Sequence, residues 1–194
     1  MPRVHTIKSA RKNYPAEGIE KGDTYYKWSI KTGPASGRVY RSKTYPKPSD
    51  LTGSPFQKSL LEIQERISNF EAGNYETAED LSSDLEQITS DIEALRDETQ
   101  GSLENMPEGL QQGGVGQTLQ DRIDGLEDWL NNLQGVDLNF DFDEEEPEEP
   151  EDKESEEHRE WTITQQKWEE DKKEAKNEFI SNAIDEIQGI EAGI

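Results

Sequence analysis

Ala78, Leu81, Leu85, Ile88, Ile92 and Leu95 follow one another at intervals of three, four, three, four and three residues, with acids prominent between them. This interval keeps one stripe of a helix apolar over about five turns and demands a second helix to cover it. A further seam at Leu119, Ile123, Leu126, Leu130 and Leu133 supplies that partner and ends near Gly135. Between the two, Asn105-Met106-Pro107 stops the first helix, and Gly113-Gly114-Val115-Gly116 forbids an uninterrupted helix through the connection. The pattern predicts a helix over 75–104 and an antiparallel helical hairpin of coiled-coil character. Each seam buries five or six side chains at about 1.5–3 kcal/mol apiece before entropy is charged, enough for a narrow bundle and too little for a deep pocket.

Two more helices flank the hairpin. Ser54-Pro55 is a helix start, a hydroxyl cap followed by proline at the first helical position, and Leu60, Ile63, Ile67 and Phe70 continue the helical spacing as far as Ala72-Gly73-Asn74. Residues 160–190 carry Trp161, Trp168, Ala175, Phe179, Ala183, Ile184 and Ile187. An aromatic first half and an aliphatic second half predict a long helix packed along the others. The two tryptophans are read as core anchors, not a ligand cage.

The first fifty residues have a different period. Residues 24–30 and 39–45 are rich in aromatic and β-branched types and are separated by Gly33-Pro34 and Gly37, the signature of a β-hairpin with a long turn. Alternation places Tyr26, Trp28 and Ile30 on one face of the first strand and Tyr25, Lys27 and Ser29 on the other. A turn at residues 18–23 leads into it. A two-stranded hairpin is marginal by itself, so another segment has to cover it.

Charge divides along the same line. Residues 1–50 hold eleven Lys/Arg against four Asp/Glu, a balance of +7, and the other 144 hold ten against forty, a balance of −30. Residues 141–152 are almost entirely acidic and contain two prolines, which reads as a solvated linker. Just before them, residues 136–143 alternate strictly between apolar and polar side chains. Such a segment either belongs to the linker or adds to the hairpin as a third strand, covering its rings and setting Asp137, Asp141 and Asp143 against the basic row.

Several chemistries fall away. The chain has no cysteine, and His5 and His158 lack partners at motif spacing, so thiolate, zinc and Ser-His-Asp readings have no residues to stand on. The acidic run lacks the glycine and ligand spacing of a calcium loop. No catalytic residue, metal site or cofactor is expected, and an enzyme is not. No apolar run approaches the roughly 20 residues that cross a bilayer, and the N-terminus has no secretory h-region, so a cytoplasmic protein without a membrane partner is expected.

The best candidate surface is the hairpin itself. Lys27, Lys31, Arg38, Arg41, Lys43 and Lys47 interleave with Tyr25, Trp28 and Tyr40, and cations with aromatic faces are what phosphate contact and base stacking require. The competing reading makes the rings a miniature core and the lysines solubilising edge residues. The acidic body has its own two readings, a solvated helix face or a row of carboxylates that imitates duplex phosphates.

The stretches 8–15, 18–19, 21–28 and 41–52, together with residues 105–111 and the helix from Leu119 to Leu133 with its Trp129, resemble a group of small proteins encoded by bacteriophages and prophages. The resemblance implies a phage gene expressed in a bacterial cytoplasm, with a virion-associated, regulatory or counter-defence role, and carries no catalytic motif.

The expectation is therefore an α+β protein. It comprises a basic β-hairpin head over 1–53, a helical hairpin or bundle over 54–135, an acidic linker over 136–157 and a C-terminal helix over 158–194. Its expected function is non-catalytic binding, the head contacting nucleic acid or an acidic partner and the body acting as spacer or interaction surface. A DNA-mimicking inhibitor of a host protein and a virion structural protein are the alternatives. The helical seams also suit a homodimer.

Overall fold

A computed structural model describes residues 2–31, 33, 35–150 and 156–194. The chain divides into two compact units, Met1–Arg66 and Ile67–Ile194. The fold is α+β, a small antiparallel sheet followed by helices.

In the first unit the sheet has three strands in the order β1 (His5–Ile7), β2 (Tyr25–Ser29) and β3 (Val39–Ser42). The hairpin of β2 and β3 is as expected, with Lys27 opposite Arg41 and Trp28 opposite Tyr40. The third strand is a correction. It is β1, pairing His5 with Lys27 and Ile7 with Tyr25, and not residues 136–143. Those residues form no strand. Three residues, His-Thr-Ile, are too few to display a strand period, and the stronger alternation downstream belongs to a segment with a different seat.

Both faces of the sheet are covered. Residues 8–23 fold back on themselves, with the Ala10 amide donating to the Asp23 carbonyl at 2.8 Å and the Gly22 amide to the Ala10 carbonyl at 2.9 Å. This loop sets Ala10 and Ile19 against Tyr25. On the opposite face Trp28 stacks on Tyr40, centroids 5.8 Å apart, and its indole N–H donates to the Asp50 carbonyl at 3.0 Å. The turn between β2 and β3 needs glycine at 33. Its φ is +74°, and a Cβ there would overlap the Gly53 carbonyl. Thr32 and Pro34 of that turn lie outside the described residues.

Helix α1 (Pro55–Ser68) begins where Ser54-Pro55 predicts, the Ser54 hydroxyl accepting from the Gln57 amide. Glu65 ties this helix to the sheet unit. It accepts from the Ser49 amide at 3.1 Å and lies 3.7 Å from Lys47 Nζ. The unit boundary consequently falls between residues 66 and 67 and not at 53.

The second unit is built on the two seams. Helix α2 (Ala78–Glu104) starts three residues later than the spacing predicts, because Thr77 caps it. Its hydroxyl accepts from the Asp80 amide while the Asp80 carboxylate accepts from the Thr77 amide. After a single turn, α3 (Glu108–Gln111), helix α4 (Gly114–Gln134) returns antiparallel. Leu85 and Glu86 near the start of α2 line one cleft with Leu133 and Gln134 at the end of α4. Gly116 is where α3 and α4 meet. A Cβ there would overlap the Gln111 carbonyl. Leu81, Ile88, Ile92, Leu126 and Leu133 are fully enclosed, so the seams are satisfied within the chain.

Helix α5 (Glu156–Gly189) extends about 50 Å. Only its last turns, through Ile180, Ala183, Ile184 and Ile187, are buried. There the Trp129 indole N–H donates to the Ile190 carbonyl at 3.2 Å, and Gln188 donates to the carbonyls of Ile67 and Phe70. The expected long helix packed along the others is thus found, with its packing confined to these last turns. Residues 140–147, read as part of a solvated linker over 136–157, instead lie back along α5 between Phe179 and Trp161. Residues 151–155 of that linker lie outside the described residues. No helix among the described residues is long and apolar enough to cross a membrane.

Candidate functional site

The basic surface belongs to the first unit, and the strand registers decide which of its side chains are available. On the face shared by Tyr25 and Lys27, register places His5, Lys27 and Arg41 in one row across β1, β2 and β3. On the other face lie Tyr26, Trp28 and Tyr40.

The nine residues singled out from the sequence do not form one surface. Tyr25 is 6% exposed, and burial pushes its hydroxyl pKa up. Trp28 is 5% exposed and spends its only donor on Asp50. Neither ring has a free face for a base. Tyr40 is half-buried against Trp28.

Three of the six cations are engaged internally. Arg41 lies over the Tyr14 ring at 4.4 Å and 3.8 Å from Glu17, with its Nε buried and unpaired. Lys43 pairs with Asp23 at 3.0 Å. Asp23 also accepts from the Glu20 amide, and that bond together with Lys43 holds its carboxyl below the usual carboxylate range. Lys47 pairs with Glu65.

Lys27, Lys31 and Arg38 remain, all exposed and without an ion pair among the described residues. Arg38 stands at the edge of a cleft of about 310 Å³ that Tyr40, Ser49, Asp50 and Lys58 also line. Lys58 is itself 3.6 Å from Glu62.

Five further cations belong with these three. Arg3, Lys8, Arg11, Lys12 and Lys21 are exposed and make no ion pair among the described residues, with Lys12 Nζ over the Tyr14 ring at 5.4 Å. Four of them sit on the loop that covers Tyr25. The loop holds a fixed shape, with the Lys21 amide donating to Asn13 Oδ1 at 2.7 Å and the Thr24 hydroxyl donating to the Lys8 carbonyl at 3.0 Å. Three cations within residues 8–12 were the available signal, and it was obscured because the segment has no regular period.

The charge division coincides with the structural one. Met1–Arg66 holds thirteen Lys/Arg against six Asp/Glu, a balance of +7, while Ile67–Ile194 holds eight against 38, a balance of −30. Among the described residues no cluster of three His, Cys, Asp or Glu is placed to hold a metal ion. No family model, curated protein or solved structure matches the chain.

Proposed function

We propose that the protein is a non-catalytic binding protein whose basic unit contacts the phosphates of nucleic acid, the acidic helical unit serving as spacer and second interaction surface. The observation that carries this reading is the coincidence of charge with fold. A compact unit of +7 presents eight exposed cations without an ion pair among the described residues. Phosphate contact follows from point charges at a solvated surface, whereas base stacking needs open rings, and Tyr25 and Trp28 are enclosed. Binding is thus electrostatic and independent of sequence. A host or phage setting, as the N-terminal motif suggests, belongs to the same proposal.

The test is binding of a labelled single-stranded oligonucleotide to the full chain across salt concentrations. With about four phosphates contacted, the slope of log K against log salt is about −3, a loss of roughly 50-fold between about 50 and 200 mM. The triple variant K27E/K31E/R38E, which touches none of the unit's ion pairs among the described residues, lowers affinity at least tenfold and flattens that slope. Absence of binding at low salt, or binding indifferent to salt, overturns the proposal.

A further inference from the structure

Between Trp161 and Phe179, α5 carries a row of rings, and the acidic segment before the helix is seated on it. Phe140 packs on Phe179 at 5.5 Å, and Phe142 meets the edge of Trp168 at 5.7 Å. The Trp168 indole N–H donates to the Glu144 carbonyl at 3.1 Å, and the Trp161 indole N–H donates to the Pro147 carbonyl at 3.0 Å. Gln165, between them, donates to the Glu146 carboxylate at 3.2 Å. The segment runs antiparallel to the helix, its residue numbers rising as those of its contacts on α5 fall.

The spacing of these contacts has a physical basis. Trp161 and Trp168 are seven residues apart, a rise of about 10.5 Å along a helix. Glu144, where the chain bends, and Pro147 are three apart, a span of about 9–10 Å wherever a chain is extended or in polyproline II. Two indole donors on one helix face therefore match every third carbonyl of such a chain. The resident segment contains Pro147-Glu148-Glu149-Pro150, prolines at the spacing with which polyproline II ligands dock on aromatic surfaces. Both indole bonds go to backbone carbonyls, so they read conformation and not side-chain identity.

Charge opposes this seating. Residues 137–150 hold eight acids and no base, and the part of α5 beneath them, residues 156–179, holds eight acids against five Lys/Arg. Ring packing and hydrogen bonds that include these three hold the segment on a helix of the same net sign of charge. We infer that the Trp161, Trp168 and Phe179 face of α5 is a docking surface for an extended, proline-containing partner peptide with aromatic residues and few acids. Residues 140–150 are its occupant within the chain, and a less acidic competitor displaces them.

The test uses the full chain and a fluorescein-labelled peptide of residues 137–150 with its five glutamates replaced by glutamine, read by anisotropy. The variant F140A/F142A releases the resident segment and binds the peptide at least tenfold more tightly than the wild type. Adding W161L/W168L to that variant removes the binding while the circular dichroism of the helices is retained. Both phenylalanines are only partly buried, and F140L/F142L repeats the comparison with less disturbance. Equal affinity for wild type and F140A/F142A, or binding that survives W161L/W168L, overturns the assignment. Concentration-dependent dimerisation of the wild type by exchange of residues 140–150 also overturns it, since the occupant would then be a second copy.

Discussion

The two units solve the problem of a sparse apolar composition in opposite ways. In Ile67–Ile194 aliphatic side chains at helical spacing form the core, and the acids fall on the remaining helix faces, where charge has no packing role. In Met1–Arg66 the sheet is small, and Tyr25 and Trp28 share the buried area with Ile19, Ile30, Leu60 and Ile63, so the polar tips of two rings have to be accommodated. The difference matters for function. In a helical seam, composition and role coincide. In a small sheet, the rings that resemble a nucleic-acid surface are structural, and the cations on the covering loop are the exposed groups.

The largest test of this contrast removes one ring from each unit. Trp129→Ala and Trp28→Ala are each expected to cost about 3–5 kcal/mol in urea unfolding, the first followed by helical circular dichroism and the second by near-ultraviolet signals of the sheet. A cost below about 1 kcal/mol for Trp28→Ala would break the comparison and return that ring to the surface. A smaller effect sharpens the helical side. Thr77→Ala removes the hydroxyl half of the α2 cap while its backbone amide can still donate to Asp80, and is expected to lower stability by about 1 kcal/mol, measured as a shift in urea midpoint.

The smallest effect concerns pH. Because the Asp23 carboxyl is held low by the Glu20 amide and Lys43, its contribution is present above the usual carboxylate range and is lost as pH falls through its lowered value. Thermal midpoints of wild type and Asp23→Asn should therefore differ at neutral pH and converge in acid.

Much of the helical unit was legible because periodicity is a local property. The α2 and α4 seams, the Ser54-Pro55 start and the stop at Asn105-Met106-Pro107 all read correctly. Trp129 was missed as a core residue for a geometric reason. A seam of threes and fours describes one partner helix, and Trp129 lies beside that stripe, where its indole reaches the end of α5. The sheet's face alternation was legible in β2 as well. What covers each face was not, since β1 and the loop of residues 8–23 owe their places to long-range backbone pairing that leaves no period. The alternation of residues 136–143 does mark one more buried, apolar side, but Phe140 and Phe142 are seated on α5 and not on the hairpin. Both surfaces offered it rings, and the pattern of a segment does not name its acceptor.

The unequal burial along α5 divides its stability into layers. Residues 180–187 are locked into the helical core, while residues 161–179 rest against the segment that precedes the helix. Amide hydrogens of the outer stretch should exchange with solvent well before those of the inner one, so a protease or a competing ligand meets a hinge of the native ensemble that opens without unfolding the rest.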